Sequence, residues 1–297
     1  MLESVILSIF YFAQGQTMIP YTLISSTSEL IDFHRYLKDN KTQKIAIDFE
    51  GESNLHAYGE KLCLIQIFDR SNFYIIDPFK LSTNALGNFL EDSSIVKLGY
   101  GSDSDSKLLY KQYGIKIKSV YDLQLQVDLL DFKHKGLDSI LHELLGITIT
   151  KKKEYQQYNW MLRPVKEDAI QYALNDVKHL FDLDKKLLSL VLGSDKTEEL
   201  INKIVMKDID YDKKSVPTIK KDAQYKMFTN NQRIQFDKLY TFRDEIAKEL
   251  DLPPNKVIDK QIMFKAIRGN LDLNRLRFNS LVNEKIRNKI LEYLGSL

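Results

Sequence analysis

Hydrophobic and polar positions follow two different periods along this chain. The stretch Lys44-Ile-Ala-Ile-Asp-Phe-Glu-Gly51 is rich in β-branched and apolar residues and predicts a buried strand. Side chains alternate across a strand, so Asp48 and Glu50 share one face while Ile47 and Phe49 take the other. The apolar runs at 62–68 and 73–77 predict two more strands, the second closed by Pro78, and three in succession suggest an antiparallel meander. A short strand is expected at 21–24. Ser25-Ser-Thr-Ser-Glu29 then offers a capped helix start, and Leu30, Ile31, Phe33, His34 and Leu37 follow at helical spacing. Strands at 95–100 and 120–122 alternate with helices, one of them running from about Asp105. This order predicts an α/β domain with a mixed sheet and helices packed around it.

The pattern changes period most clearly at residues 166–192, where one long helix is expected after Pro164. Ala169, Tyr172, Asp176, Leu180, Leu183 and Leu187 recur at intervals of three or four. Asp176 then falls on the leucine stripe, with Tyr172 one turn before it on the same face. An acid on an apolar stripe has to be paired or bound to metal; the other reading is a polar residue at the stripe's margin. Residues 136–146 form a further amphipathic helix with a glycine stop.

Beyond Gly193 the chain becomes polar, with a helix expected at 198–206, and a second amphipathic pattern starts near Phe228. It carries Phe236, Leu239, Tyr240, Arg243, Ile246, Ala247 and Leu250, is broken by Pro253-Pro254, and is followed by expected helices at 260–268 and 283–294. The expected organisation is a catalytic-sized α/β domain at 18–193, a linker with a helix at 194–227, and a small all-α domain at 228–297. In this last part Lys265, Arg268, Arg275, Arg277, Lys285, Arg287 and Lys289 face only Asp272 and Glu284. Such a basic module either binds a nucleic-acid backbone or merely packs on the first domain, and the reading leans to binding.

Composition narrows this picture only a little. With 297 residues, 43% hydrophobic and 28% charged, the chain can bury a sizeable core, and a net charge of +2 neither demands nor excludes nucleic acid. The single cysteine, Cys63, lies in an apolar run and reads as a buried core thiol rather than a nucleophile. No disulfide can form within the chain, which fits a reducing cytoplasm. The histidines show no zinc-ligand spacing. Residues 5–13 are apolar but too short to span a bilayer, and only Glu3 precedes them in the way of charge. They are either an extra element or an over-extended start, with Met18 as the initiator.

The candidate chemistry is acidic. Two carboxylates on one face of an apolar strand repel unless a cation lies between them, and a hard divalent ion such as Mg²⁺ prefers oxygen ligands. A solvated edge strand is the competing reading, so the case depends on partner acids. Asp105 is expected in the first turn of its helix, on the protein-facing side, with Ser102 or Asp103 as the cap. Asp103 competes with it, and cap duty explains Asp103 better. Lys151, Lys152 and Lys153 form either a solvated loop or a phosphate contact. Trp160 reads as a core anchor first and a base-stacking platform second.

Taken together, Asp48-Phe-Glu50, the Leu64-Ile-Gln-Ile67 strand, Asp105, Trp160-Met-Leu-Arg-Pro164 and Tyr172-Ala-Leu-Asn-Asp176 resemble the DEDDy class of 3′-5′ exonucleases, in particular ribonuclease D relatives. The stretch Leu239-Tyr-Thr-Phe-Arg-Asp-Glu-Ile-Ala-Lys-Glu-Leu-Asp-Leu-Pro-Pro254 resembles the start of an HRDC domain, and the match fades after Ile267. The resemblance implies a ribonuclease H-like mixed sheet flanked by helices, plus a small helical HRDC-like domain. It implies metal-dependent removal of 5′-mononucleotides from RNA 3′ ends, in tRNA or other structured RNA processing. Two ions, Mg²⁺ or Mn²⁺, would be held by Asp48, Glu50, Asp105 and Asp176, with Tyr172 orienting the nucleophilic water or assisting its deprotonation. Lys151, Lys152, Lys153, Trp160 and Arg163 would contact the nucleic acid. The implied partner is a single-stranded RNA or DNA 3′ end, with no membrane, a cytoplasmic location and a monomer favoured. Two rival functions are a Werner-type DNA exonuclease and a non-catalytic nucleic-acid-binding relative.

Overall fold

The described residues of the computed structural model are 18–149, 152–212 and 216–297, with the side chains of Lys152 and Lys153 outside the description. The apolar stretch expected at 5–13, together with Lys151, Lys213 and Lys214, lies outside the described residues. The chain divides into two compact units. The first runs to Gly51 and resumes over Lys61–Tyr211; the second comprises Glu52–Glu60 and Asp212–Leu297.

The first unit is built on β1 (Tyr21–Ile24), α1 (Thr27–Asp39), β2 (Lys44–Ser53), β3 (Glu60–Phe68), β4 (Phe73–Ile76), α2 (Thr83–Leu90), β5 (Val96–Gly99), α3 (Asp103–Tyr113) and β6 (Val120–Asp122). Helices α4 (Gln124–Leu129), α5 (Leu137–Leu145), α6 (Lys152–Tyr155), α7 (Glu167–Lys178), α8 (Leu180–Leu192) and α9 (Thr197–Val205) complete it. The six strands run in the order β1-β4-β3-β2-β5-β6. β3 and β4 pair antiparallel, while β1–β4, β2–β5 and β5–β6 pair parallel. The sheet is therefore mixed, as the alternation of strands and helices predicts.

Period-two alternation decides what each face of the sheet buries. Ile45, Ile47 and Phe49 of β2 join Ile65 and Ile67 of β3 in a core with Leu30, Phe33 and Leu37 of α1 and Phe89 of α2. Ala46, one step out of phase, belongs instead to a core with Leu98, Val177, Leu183 and Leu187. Leu64 and Ile75 pack with Ala169, Ala173 and Leu174 of α7. Asp48 and Glu50 share the phase of Ala46, so they emerge on the face that α7 and α8 cover. α1 starts at Ser26 with a full capping box to Glu29, which the Ser-Thr-Ser-Glu run foreshadows.

The single helix expected at 166–192 is two helices, parted at His179 with φ −107° and ψ 2°. The buried positions Ala173, Val177, Leu180, Asp184, Leu187 and Val191 keep spacings of three or four straight through the break. That continuity is why the pattern reads as one helix. The buried stripe of α7 is Ala169, Ile170, Ala173, Leu174 and Val177, so Tyr172 and Asp176 lie at its margin, half-buried.

α9 packs against α4 and α8, and Leu200 is buried with Leu129 and Val191. The second unit is helical, with α10 (Ala223–Lys226), α11 (Asn230–Glu249), α12 (Pro254–Val257), α13 (Lys260–Ile267) and α14 (Glu284–Gly295). Phe236, Leu239 and Ile246 of α11 pack with Met263, Phe264, Ile286 and Ile290 in its core. Among the described residues, no helix is long and apolar enough to cross a membrane.

Candidate active site

β2 delivers two acids to the site and α7 a third. Carboxylate oxygens of Asp48, Glu50 and Asp176 all lie within 4.8 Å of one another. Burial pushes the Asp48 carboxyl well above its ordinary range, and the charges of Asp176, Asp105 and Glu50 push it further; the Phe49 backbone opposes them. Glu50 is raised likewise by burial, then by Asp176 and Asp105. Asp105 is pushed up to about 7, first by burial and then by Asp122. Burial also raises the Tyr172 phenol, followed by Asp176, Glu50 and Asp48. The charge of Asp105 thus acts on Asp48 and Glu50, and the Tyr172 phenol feels all three clustered acids. An all-oxygen donor set of this density can hold a hard divalent cation, which would relieve the repulsion that protonation otherwise relieves.

Asp105 arrives by way of the sharp connection between β5 and α3. Gly99 pairs with Asp122 at the end of β6, so the two strand ends lie side by side. Gly101 turns the chain at φ +68°, a conformation that favours glycine, and a Cβ there would also oblige the Gln124 side-chain oxygen, 2.9 Å away, to move. The Asp122 carboxylate then gathers the turn. It accepts from the Gly101 N–H at 2.8 Å, and from the Ser102 N–H, the Ser102 hydroxyl and the Gln124 N–H at 3.0 Å each. Burial works against its charge, but Lys207 and the Gln124 and Gly101 backbone outweigh it and hold the carboxyl below its usual range. Ser102 occupies the N-cap position of α3 without capping it, because its hydroxyl is committed to Asp122. Asp103 is exposed and paired with Lys207 at 2.9 Å. Neither residue therefore caps α3 as expected, and Asp105 is the acid of this turn whose charge acts on Asp48 and Glu50.

Two of the residues expected at the nucleic acid, Arg163 and Trp160, are engaged within the fold. All five N–H groups of the Arg163 guanidinium are used internally. They go to Asp77 at 2.7 and 3.0 Å, and to the carbonyls of Trp160, Leu162 and Cys63 at 2.7, 2.9 and 2.7 Å. No donor remains for a phosphate. Trp160 is only 3% exposed and packs edge-on against Tyr158, so its faces are core and not a stacking platform. Lys152 and Lys153 belong to the backbone of α6, and Lys151 is outside the described residues. Cys63 is buried, in keeping with a core thiol. Sequence reasoning passed over Asp122, Lys207 and Tyr155. The Asp122-x-Gln124 spacing is a local turn signal for the first; the other two act through contacts distant in sequence.

Fold and acid cluster together are those of the 3′-5′ exonuclease family. The chain belongs to the family of that description, whose profile matches residues 21–192, more than half of its length. Among its relatives, exosome complex component 10 of Mus musculus is 28% identical over 269 residues, covering 86% of this chain and 29% of that one. The chain thus spans less than a third of that relative's length. In solved structures, the catalytic core of RRP6 from Trypanosoma brucei superposes with a TM-score of 0.74 at 21% identity, covering 97% of this chain and 82% of that one. Escherichia coli RNase D, an exoribonuclease involved in structured RNA processing, does so with a TM-score of 0.68 at 21% identity, covering 94% and 75%. At these identities the superpositions show a shared fold.

Proposed function

We propose that this protein is a metal-dependent 3′-5′ exoribonuclease that removes 5′-mononucleotides from RNA 3′ ends, in the processing of tRNA or other structured RNA. The observation that carries the proposal is the convergence of Asp48, Glu50 and Asp176 within 4.8 Å, with Asp105 close enough to raise the first two. The relatives named above favour RNA over DNA. Asp48 with Glu50 and Asp176 would hold one Mg²⁺ or Mn²⁺ ion, and Asp48 with Asp105 would help hold a second. When bound, such an ion pair neutralises charge on the attacking and leaving oxygens and lowers the pKa of water. The Tyr172 phenol, raised by burial and then by its acidic neighbours, keeps its proton and orients the attacking water as a donor. Water adds to the terminal phosphorus, the P–O3′ bond breaks, and the shortened chain leaves with a 3′-hydroxyl. The second unit, read as an HRDC-like module, helps hold the nucleic acid, and the enzyme acts as a monomer.

The test is digestion of a tRNA with a 3′ extension, beside single-stranded RNA, single-stranded DNA and recessed duplex DNA, in Mg²⁺ and in Mn²⁺. A one-nucleotide ladder with 5′-monophosphate products, faster on RNA and absent in Asp48→Ala, is expected. Full activity of Asp48→Ala would remove the proposal, and a preference for recessed duplex DNA would redirect it to a DNA exonuclease.

A further inference from the structure

Lys207 lies in the segment after α9, beyond the part of the chain that matches the exonuclease family. Its ammonium nonetheless reaches back into the frame of the acidic centre. It contacts Asp103 in the first turn of α3 at 2.9 Å and the buried Asp122 at 3.0 Å. It is the fifth donor on the Asp122 carboxylate, joining the four that come from Gly101, Ser102 and Gln124. Farther along the same segment, Tyr211 packs on Tyr110 of α3 with centroids 4.8 Å apart, and the Lys116 ammonium lies over both rings. The segment is therefore fastened to α3 near both ends of that helix. A cavity of about 580 Å³ opens beside the bridge, lined by Asp103, Asp122, Met206 and Lys207 among others.

We propose that Lys207 is a positioning residue for Asp105: by tying Asp103 to Asp122 it fixes the first turn of α3, and with it the place of the fourth acid. The proposal rests on the reading of Asp48, Glu50, Asp105 and Asp176 as a metal centre. A buried carboxylate with five donors holds its geometry only while its charge is compensated. With Lys207 gone, the Asp122 side chain, 5% exposed, is left as an uncompensated ion beneath the turn. Charge and geometry then predict opposite results. Removing a cation near an acidic centre should by charge alone strengthen cation binding. Loosening the turn that carries Asp105 should weaken it.

The experiment is equilibrium Mn²⁺ binding by electron paramagnetic resonance on the full chain, with single-turnover kinetics alongside. Lys207→Met is expected to bind Mn²⁺ at least about fivefold more weakly and to cleave about tenfold more slowly, with KM for RNA unchanged within about twofold. Lys207→Arg, whose fork can span two carboxylates, should restore both within about twofold. Lys207→Gln keeps a donor at Asp122, guards against misfolding of the methionine variant, and should lose at least about threefold in Mn²⁺ affinity. Circular dichroism identifies folded samples. Unchanged or tighter Mn²⁺ binding in the folded Met or Gln variants overturns the proposal. Asp48→Ala measured in parallel separates the two levels. If it too keeps full Mn²⁺ affinity, the metal centre itself is refuted; if it loses Mn²⁺ while the Lys207 variants do not, only the positioning role falls.

Discussion

The ring of Tyr155 stacks on that of Tyr172, with centroids 4.8 Å apart and planes 28° from parallel. Tyr155 is 5% exposed and sits on the single turn α6, whereas Tyr172 stands at the margin of α7 beside the acids. A side chain at the edge of a stripe has few neighbours to hold its rotamer, and this contact supplies one.

Tyr155→Ala should therefore lower kcat about tenfold while leaving KM nearly unchanged, since loss of alignment without loss of contact acts on turnover. Tyr155→Phe keeps the ring and should stay near the parent. In a Tyr172→Phe background the alanine change should add little, because the residue it positions has already lost its hydroxyl. Equal further loss in both backgrounds would show that Tyr155 acts otherwise.

Raised carboxylates make metal-free stability depend on pH with a definite sign. Asp105 titrates near 7 in the folded chain, above its unfolded value, and Asp48 and Glu50 shift the same way. The folded state then binds more protons than the unfolded one, so these groups stabilise at low pH and that contribution is lost as pH rises through about 7. Calorimetry after EDTA treatment should show Tm falling between about pH 5 and pH 8, and less so in Asp105→Asn. Excess Mn²⁺, which needs deprotonated ligands, should stabilise more at the upper end of that range. A metal-induced rise in Tm that is the same at both ends would contradict the assignment.

Like charge gathered in one place also means that function is held at the expense of stability. Asp48→Asn should abolish cleavage yet raise the metal-free Tm near pH 8 by at least about 2 °C. The same scan on the parent protein checks it, and a lower Tm for the variant would count against crowding of the acids.

Arg163 has the opposite character, a structural cation whose partners are Asp77 and three backbone carbonyls. Its loss leaves Asp77, whose side chain is 6% exposed, unpaired in the interior. Arg163→Ala should cost about 3–5 kcal/mol of stability in urea unfolding. Nucleic-acid affinity of the remaining folded protein should be unchanged, and a weaker affinity there would return Arg163 to the binding surface.

How much of this was legible in the sequence follows from the range of each interaction. The phase of β2 is local, so the shared face of Asp48 and Glu50 could be read directly. The expected stripe of α7 takes in Tyr172 and Asp176 beside the buried Ala169, because they share the spacing of the buried positions without sharing their burial. The break at His179 leaves that spacing undisturbed, and no residue there forbids a helix. The family resemblance implies a nucleic-acid contact for Arg163, and only its partners at Asp77 and Cys63, 86 and 100 positions away, show its structural engagement. Lys207 had no signal at all, since a lysine in a polar stretch does not announce a carboxylate 85 positions upstream.

Cys63 has a practical consequence for anyone wishing to follow this molecule by fluorescence. The chain's one thiol is sealed in the interior, where maleimide reagents have no access to it while the fold is intact. A cysteine placed at Met227, which is 80% exposed, would take a dye alone and in a known position, with no need to remove the native residue first.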